Sequence, residues 1–339
     1  MKAVGISHYL PSDDEKCFVD FETPKIQPTG RDLLVAVKAI AVNPVDVKVR
    51  AGRGDTTPEN PPRVIGWDAS GVVEAVGTDV TTFAVGDEVY YAGDITRPGC
   101  NSEYQLIDER IVGTKPQSLS HAEAAALPLT TITAYESFFD RLGIDRDGAN
   151  KGESILVIGA GGGVGSIALQ LAKHAGLKII ATASRTETSE WVQKLGADYV
   201  VNHRENMVDQ CHELGFQHID FIAIFNDMRH WDTAVELVRP QGRIVTIDDT
   251  NQPMPMETMK MKAASLHWEF MFARSMHQTE DMIEQQKLLN WVAGEIDAGR
   301  IVTTATEVLT PINAGTLRQV HQRIEKGDTR GKIVLEGFG

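Results

Sequence analysis

Residues 154–165 read SILVIGAGGGVG, and this stretch decides the fold class. Ser154 to Ile158 form an apolar run that predicts a buried β-strand, and Val164 to Ala175 then read as an amphipathic helix. Between them, glycines permit a tight turn and let a ligand approach the backbone closely. Strand, Gly-rich turn and helix in this order form the context that a dinucleotide-binding fingerprint requires. The stretch therefore predicts the first βα unit of a Rossmann fold.

The turn lacks a strict G-x-G-x-x-G, and its best register is Ala160-x-Gly162-x-x-Gly165, with Ala in place of the first Gly. The helix that follows offers free N–H groups and the positive end of its dipole to phosphates. We therefore predict that a dinucleotide contacts Ala160, Gly161, Gly162, Gly163, Val164 and Gly165. The alternative is a Gly-rich turn without a ligand, and the order of strand, turn and helix favours binding.

Strands and helices alternate downstream of this turn. The predicted strands are Lys178–Ala183, Tyr199–Val201, Asp220–Phe225 and Arg243–Ile247, and Glu190–Leu195 is predicted to be helical. This rhythm indicates a parallel sheet with helices on both faces.

The flanking regions have a different pattern. Upstream, the predicted strands Leu33–Val42, Gly71–Gly77 and Gly86–Tyr91 are separated by turns, which is typical of a compact, partly closed β-domain. Downstream, the sequence predicts helices over Gln278–Ala298 and Thr316–Glu325, a terminal strand over Gly331–Leu335, and an apolar strand at Phe270–Phe272 that packs in the core or at an interface.

Size and composition limit the possible functions. A chain of 339 residues suits two domains, and a net charge of −14 argues against non-specific nucleic-acid binding. With no apolar run of about 18 residues we expect no membrane span, and with no apolar N-terminal segment we expect no secretory signal. The three cysteines, Cys17, Cys100 and Cys211, are far apart and form no C-x-x-C, so we expect no disulfide framework and a cytoplasmic location.

The end of the second predicted strand bears on the choice of cofactor. NAD enzymes place an acidic residue there to bind the ribose hydroxyls, whereas this chain reads Thr182-Ala183-Ser184-Arg185. Arg185 can pair with a 2′-phosphate and Ser184 can donate to it, which favours NADPH. In the alternative, Arg185 is a solvated loop residue and Glu187 or Glu190 supplies the acid.

Short motifs with a shared order extend along nearly the whole chain. They are NPVD (43–46), GWDASGVV (66–73), GDEV (86–89), ALPLT (126–130), the glycine turn, KLGAD (194–198), GRIV (242–245) and GKIVL (331–335). In this order they resemble the medium-chain dehydrogenase/reductase superfamily, and within it the zinc-independent branch of quinone-oxidoreductase-like proteins.

The resemblance implies a particular architecture. A Rossmann domain with a doubly wound parallel sheet would be inserted into a β-rich, GroES-like catalytic domain. The implied ranges are 1–125 for the first part of the catalytic domain, 126–265 for the NADPH-binding domain, and 266–339 for the remainder that completes the sheet and the catalytic domain. The nicotinamide would lie between the domains, and the protein would be a homodimer or homotetramer.

The resemblance also bears on metal content. Zinc members of the superfamily place Cys at the position of Asn43 and a His-Glu pair at Trp67-Asp68, and they carry a lobe of four closely spaced cysteines. Between Tyr90 and Tyr104 the only cysteine is Cys100. Among the 10 histidines of the chain, no two lie close enough together in the sequence to suggest a metal site. Because a catalytic zinc needs three good ligands, we expect no metal.

The predicted site residues follow from the motifs and the resemblance. Asn43 is expected to hydrogen-bond the substrate or the nicotinamide ribose, and Thr130, by resemblance, to lie near the carboxamide. Quinone reductases often carry Tyr near the position of Lys48, which could polarise a carbonyl here or could simply be a surface lysine. The predicted cofactor-binding residues further include Phe225, Thr246 and Lys332.

These observations predict hydride transfer from NADPH to a small-molecule electron acceptor. Without a Lewis acid the alkoxide of an alcohol substrate is hard to stabilise, whereas a quinone or a conjugated enone or enal accepts hydride readily. The alternatives are an alcohol dehydrogenase or aldehyde reductase, and a non-catalytic NADPH-binding sensor or structural protein.

Overall fold

Short antiparallel strands dominate the two ends of the sequence, and alternating strands and helices occupy its middle. The computed structural model describes residues 1–52, 57–250, 253–327 and 329–339. The strands are β1 Lys2–Ile6, β2 Val19–Glu22, β3 Asp32–Ala41, β4 Arg63–Val64, β5 Ala69–Val76, β6 Glu88–Tyr91, β7 Tyr104–Asp108, β8 Val112–Thr114, β9 Ser154–Ile158, β10 Lys178–Thr182, β11 Tyr199–Val201, β12 Ile219–Ile224, β13 Val238–Thr246, β14 Ser265–Trp268, β15 Ala305–Leu309 and β16 Lys332–Glu336.

The helices include one π-helical segment. They are α1 Pro44–Ala51, α2 His121–Ala125, α3 Pro128–Tyr135, which continues into the π-helical Glu136–Arg141, α4 Gly163–His174, α5 Thr186–Lys194, α6 Met207–Glu213, α7 Trp231–Leu237, α8 Glu257–Lys262, α9 Ala273–Met276, α10 Ile283–Asp297 and α11 Ala314–Lys326. Short 3₁₀ turns cover Glu109–Ile111 and Met228–His230. Among the described residues, no helix combines the length and apolarity needed to cross a membrane.

The chain forms two compact units. One consists of Met1–Leu129 together with Phe272–Gly339, and the other of Thr130–Met271. The second junction follows β14, which begins at Ser265 and belongs to the sheet of the middle unit. The domain ranges 1–125, 126–265 and 266–339 stay a prediction.

A six-stranded parallel sheet organises the Thr130–Met271 unit, with the strand order β11-β10-β9-β12-β13-β14. Every residue of β9 is buried, as a strand covered by helices on both faces requires. At the amino edge, the Asp220 carboxylate accepts hydrogen bonds from Ser154 N (2.8 Å) and Ser154 Oγ (2.7 Å), which ties β12 to β9. The predicted Rossmann class is thereby confirmed.

The order of the strands locates the crevice for a ligand. The order in which successive strands are added reverses at β9, since β10 and β11 lie on one side of it and β12 to β14 on the other. In such sheets, ligands bind outside the carboxyl ends of the strands at this switch point. The residues that follow β9, β10, β11 and β12 are therefore the first place to look for a site.

Antiparallel pairing organises the other unit. Its seven-stranded sheet has the order β15-β16-β3-β5-β6-β8, with β7 also paired to β3, and a separate three-stranded sheet has the order β2-β1-β4. The late strand β16 pairs with the early strand β3 through Val334–Ala41 and Leu335–Ile40. One sheet thus combines residues from both ends of the sequence, which confirms the predicted insertion of the Rossmann domain into a β-rich, GroES-like domain.

Two predicted elements differ from the structure. The strand expected at Phe270–Phe272 is wrong, because pairing with β13 ends at Trp268 and the chain then turns. Phe272 instead packs edge-on against Trp67, with ring centroids 6.0 Å apart. The helix expected from Gln278 begins only at Ile283, because the preceding residues form a polar turn in which Thr279 Oγ1 donates to Asp281 Oδ1 at 2.6 Å.

Candidate functional site

The glycine turn connects β9 to α4 in the predicted manner. Gly159 has φ +84°, a left-handed conformation that favours glycine, and its N–H donates to Thr182 Oγ1 at 3.0 Å. Gly162 is the N-cap of α4 and has no side chain to accept from the first turn of the helix. The first N–H groups of α4 therefore remain available to an anion.

The glycines of this turn are required for different reasons. A Cβ on Gly165 would lie 2.4 Å from Gly159 O and 2.5 Å from Ala160 Cα, so only glycine lets α4 approach β9. A Cβ on Gly161 would lie 2.3 Å from Thr188 Cγ2. At Gly162 a Cβ would meet only Gly159 O, at 3.5 Å, and the position is exposed. The fold therefore does not demand glycine at 162, whereas a closely bound pyrophosphate would.

The residues that follow β10 are neighbours of the glycine turn, because β10 lies next to β9 in the sheet. Ser184 is half-buried, and Arg185 is the exposed N-cap of α5. Among the described residues, none makes a hydrogen bond or an ion pair with the Arg185 guanidinium. The alternative acids, Glu187 and Glu190, are exposed residues of α5 itself. A free guanidinium at this edge is suited to an anionic group of a ligand.

The other predicted residues of this unit are buried, two at strand ends and one in a helix. Phe225 follows β12 and stacks against Phe138, with ring centroids 6.1 Å apart. Thr246 ends β13, is fully buried and donates from Oγ1 to Met228 Sδ at 3.0 Å. Thr130 is buried in α3. Their roles as cofactor contacts stay predictions, and among the three only Phe225 directly follows a strand at the switch point.

Asn43 and Lys332 meet in a buried polar cluster of the other unit. The Lys332 ammonium donates to Val42 O at 2.8 Å and to Asn43 Oδ1, and lies 3.0 Å from Asp68 Oδ2. The Asn43 amide nitrogen donates to the same Asp68 oxygen at 2.8 Å, and Leu129 N donates to Asp68 Oδ1 at 2.8 Å. The side-chain amide of Asn43 and the ammonium of Lys332 therefore make their hydrogen bonds to atoms within this cluster.

These residues do not fit a catalytic zinc. A zinc site needs thiolate, imidazole or carboxylate ligands, whereas Asn43 and Trp67 offer an amide and an indole. The indole Nε1 donates to Asp94 O at 3.3 Å. The Lys332 ammonium already lies against Asp68, where it would repel a divalent cation. Within residues 1–52, 57–250, 253–327 and 329–339, no group of His, Cys, Asp or Glu could hold a metal ion.

The helix after Asn43 carries one buried and one exposed charge. Asp46 is buried, its Oδ2 accepts from Asn43 N at 2.7 Å, and its Oδ1 has no hydrogen-bond partner in the described structure. Burial raises the pKa of Asp46 to about 7, although the Asn43 N–H and the charge of Lys332 oppose the shift. Lys48, two residues further, is exposed on α1. Lys48 is therefore exposed, whereas Asn43 lies in the buried cluster.

Sequence reasoning missed two histidines at the switch point. It found no close pair among the histidines, but His203, after β11, and His230, after β12, have ring centroids 6.2 Å apart. They are distant in sequence, and parallel strands bring their carboxyl ends to one edge. The signal that could have found them is position, since each follows a predicted strand by a few residues.

Two protein-family models match this chain. "Alcohol dehydrogenase GroES-like domain" matches residues 29–132, and "Zinc-binding dehydrogenase" matches residues 163–286. Together they extend over parts of both compact units.

Known proteins of other organisms are also similar to this chain in sequence. The chain is 43% identical, over 337 residues and 99% of both chains, to a zinc-type alcohol dehydrogenase-like protein of Staphylococcus aureus. It is 34% identical over 263 residues to the NADPH-dependent alkenal/one oxidoreductase of Arabidopsis thaliana, which is 75% of this chain and 64% of that protein.

Solved structures show the same fold. A putative zinc-dependent alcohol dehydrogenase of Rhizobium etli superposes with a TM-score of 0.94 at 49% identity, covering 100% of this chain and 98% of that one. The quinone oxidoreductase of Escherichia coli, solved with NADPH, superposes with a TM-score of 0.81 at 22% identity, covering 99% of this chain and 100% of that one.

We expect Gly162→Val to abolish dinucleotide binding in a folded protein, because the branched side chain would fill the space predicted for the pyrophosphate, while its Cβ meets only Gly159 O at an ordinary contact distance of 3.5 Å. Calorimetric titration with NADPH and a thermal melt measure the two effects. Gly165→Ala is the matched control and should lower the melting temperature, because its Cβ collides with the Gly159 carbonyl. Wild-type NADPH affinity in Gly162→Val would contradict the assignment.

Proposed function

The chain belongs to the medium-chain dehydrogenase/reductase superfamily and is an oxidoreductase, and from that premise we propose that it transfers hydride from NADPH to a quinone or a conjugated enone or enal, without a metal. The observation that carries the proposal is the Lys332 ammonium, held against Asp68 and Asn43 where zinc members of the superfamily bind their metal. The Lys332 ammonium in that place would repel a divalent cation.

The lack of a fitting metal site among the described residues favours some acceptors over others. Alcohol oxidation requires a group that stabilises an alkoxide, which zinc supplies in metal-dependent enzymes. A quinone or a conjugated carbonyl compound instead delocalises the incoming electron pair over its own oxygen, so orientation against the nicotinamide is the main requirement. The name of the Arabidopsis relative, an alkenal/one oxidoreductase, supports this acceptor class.

A nicotinamide dinucleotide fits the glycine turn, and NADPH is the form that we propose. The cofactor supplies the hydride when bound. The open position at Gly162 and the free N–H groups of α4 would hold its pyrophosphate. The free guanidinium of Arg185, with Ser184 beside it, would bind the 2′-phosphate, and the strand end before them carries no acid.

We propose different roles for Asn43 and Lys48, the two residues predicted to be catalytic. Because its amide is buried and saturated, Asn43 is proposed to act as a positioning residue that holds Lys332 and Asp68 in place. Lys48, exposed on α1, remains the candidate for polarising a substrate carbonyl. Thr130, Phe225 and Thr246 remain proposed cofactor contacts.

The reducing environment expected from the cysteine pattern is also part of the proposal. Cys17, Cys100 and Cys211 are buried free thiols. Burial raises the pKa of each thiol, so none is poised for oxidation or disulfide exchange. Such cysteines suit a cytoplasmic enzyme.

We expect the purified protein to oxidise NADPH with quinones, enones or enals, and to contain no stoichiometric zinc. One screen of these acceptors together with aldehydes, with metal analysis on the same sample, tests both statements. Zinc at one ion per chain that is lost with activity on chelation would favour an alcohol dehydrogenase or aldehyde reductase. Tight NADPH binding without turnover of any acceptor would favour a sensor.

Arg185→Ala should weaken NADPH binding by roughly ten- to a hundredfold, because a charge-assisted contact to the phosphate contributes roughly 1.5–3 kcal/mol. NADH has no 2′-phosphate, so its affinity should hardly change. Added salt should reduce the preference of the wild type, since an exposed ion pair is screened. Titration of both cofactors into both proteins measures these effects, and equal losses for the two cofactors would contradict the assignment.

A second copy of this chain is proposed to cover the edge of β14 with which no other described strand pairs. This strand ends the six-stranded sheet, and the nearby side chains Trp268 (52% exposed) and Phe270 (47%) are apolar. An unpaired apolar edge favours pairing with an identical strand about a twofold axis. We expect a homodimer or homotetramer by sedimentation velocity, and smaller species for Trp268→Glu. A monomeric wild type would exclude this assembly.

A further inference from the structure

Two buried carboxyl groups lie around one buried ammonium in the unit formed by Met1–Leu129 and Phe272–Gly339. Asp46, Asp68 and Lys332 are all buried. Hydrogen bonds to Asn43 bring them together, since its backbone N–H donates to Asp46 Oδ2 at 2.7 Å and its Oδ1 accepts from Lys332. The amide nitrogen of Asn43 donates to Asp68 Oδ2 at 2.8 Å. With both acids ionised, the cluster would carry a buried negative charge without a countercharge, which is strongly unfavourable.

The hydrogen-bond donors around the two acids are unequal. Asp68 accepts from Asn43 Nδ2 and Leu129 N, each at 2.8 Å, and lies 3.0 Å from the Lys332 ammonium. Asp46 accepts from Asn43 N through Oδ2, and its Oδ1 has no hydrogen-bond partner among the described residues. Hydrogen-bond donors stabilise the ionised form of a carboxyl group. Asp68 is therefore the carboxylate of the pair, and Asp46 is the acid that retains a proton, on Oδ1.

The Lys332 ammonium has no donor left for a second carboxylate. An ammonium group has three N–H donors. Those of Lys332 are directed to Val42 O at 2.8 Å, to Asn43 Oδ1, and to Asp68 Oδ2 at 3.0 Å. An ionised Asp46 would therefore either stay uncompensated in the interior or attract Lys332 away from one of these atoms.

The other charged groups of α1, and those of α11 packed against it, have partners of their own or face solvent. The Arg50 guanidinium contacts Glu325 Oε1 and donates from Nε to His321 Nδ1 at 3.3 Å. Burial lowers the pKa of His321 to about 3, so this ring is neutral near pH 7. Lys48 is exposed. These groups therefore do not replace Lys332 as a countercharge for Asp46.

The ionisation of Asp46 falls in the pH range in which enzymes are commonly assayed. Burial, and to a smaller extent the negative charge of Asp68, raises the pKa of Asp46 to about 7. The remaining titratable neighbour is Cys100, whose Sγ donates to Asp68 O at 3.4 Å. Burial raises the pKa of this thiol, so it is also uncharged near pH 7.

We propose that Asp46 is a positioning residue that acts as the neutral acid, and that its ionisation displaces the Lys332 ammonium and thereby slows hydride transfer. The effect on the rate rests on the proposed function, whereas the ionisation is a property of the folded chain alone. Lys332 also holds Asn43 and Asp68, so the loss of one proton to solvent disturbs the whole cluster. Asp46 would thus set the upper pH limit of activity.

NMR of protein labelled with ¹³C at the aspartate carboxyl carbons measures the ionisation directly, over about pH 5 to 9. The proteins compared are wild type, Asp46→Asn, and the matched control Asp13→Asn, which removes an exposed carboxyl group of the same unit. We expect a carboxyl resonance that titrates near pH 7 in wild type and in Asp13→Asn, and that is missing from Asp46→Asn. If the missing resonance belongs to a group already ionised at about pH 5, or still neutral at about pH 9, the inference is wrong.

Thermal stability gives a second measurement that needs no substrate. Because the pKa of Asp46 is raised in the folded state, the stability that its proton contributes is complete below about pH 4 and is lost as the pH rises through about 7. Asp46→Asn copies the neutral acid, so its melting temperature relative to wild type should be higher at about pH 8 than at about pH 5. The same difference at both pH values would contradict the proposal. So would failure of Asp46→Asn to fold at about pH 6, where wild type folds.

The rate is measured as kcat for NADPH oxidation with saturating quinone or enone. Wild type and Asp13→Asn should lose about twentyfold in kcat between about pH 6.5 and 8.5, in proportion to the neutral fraction of Asp46. The ratio of the two kcat values should stay near one for Asp46→Asn, because this variant has no proton to lose at that position. Parallel pH profiles for wild type and Asp46→Asn would show that Asp46 does not control the rate.

Failure of this inference and failure of the proposed function give different results. If acceptors are reduced but the carboxyl resonance or the pH profiles behave otherwise than expected, the role of Asp46 is wrong and the proposed function stands. If no quinone, enone or enal is reduced, the proposed function is wrong and the effect on the rate is wrong with it. The carboxyl resonance and the melting temperatures then decide the ionisation of Asp46 independently.

Discussion

The ammonium of Lys332 joins parts of the chain that are far apart in sequence. It binds Val42 O, Asn43 Oδ1 and Asp68 Oδ2, so the late strand β16 is tied to the segment after β3 and to the residue before β5. Burial raises the pKa of Asp68, and the charge of the Lys332 ammonium is the largest influence that opposes this shift. Removal of one partner from a buried ion pair costs about 3–5 kcal/mol, because the other charge is left uncompensated. Under the proposed function, the same ammonium takes the place that a metal cation has in zinc members of the superfamily.

Local features of the fold were predictable from the sequence, whereas long-range ones were not. The turn at Gly159–Gly165 is determined by residues adjacent in sequence. Its glycines predict both a tight turn and a close approach of α4 to β9. The partners of Lys332 are set by the pairing of β16 with β3, which hydrophobic pattern alone does not specify. The sequence motif GKIVL identified the strand, but gave no indication that its lysine would point into a buried cluster. Asn43 was for the same reason expected to contact a ligand rather than Asp68.

The proximity of His203 and His230 was likewise not predictable from the sequence alone. His203 and His230 become neighbours only because β11 and β12 are parallel strands of one sheet whose carboxyl ends share an edge. The total charge of the chain is strongly negative, so composition conceals the cations at that edge. Phe270 illustrates the opposite error, since its apolar neighbours suggested a strand although the pairing of β14 had already ended at Trp268. Apolarity predicts burial or contact, and only the ladder of hydrogen bonds determines where a strand ends.

The position of β16 within its sheet has a consequence for synthesis on the ribosome. This strand follows the whole Thr130–Met271 unit in the chain, yet it lies next to β3 in the seven-stranded sheet. The parallel sheet can assemble as soon as its own strands have emerged, whereas the sheet around β3 must wait with β3 exposed on one side and Asp68 without its cation. Domains generally fold as units during translation, and unpaired strand edges are prone to aggregation. The nascent GroES-like unit is therefore the part of this protein for which chaperone protection matters most.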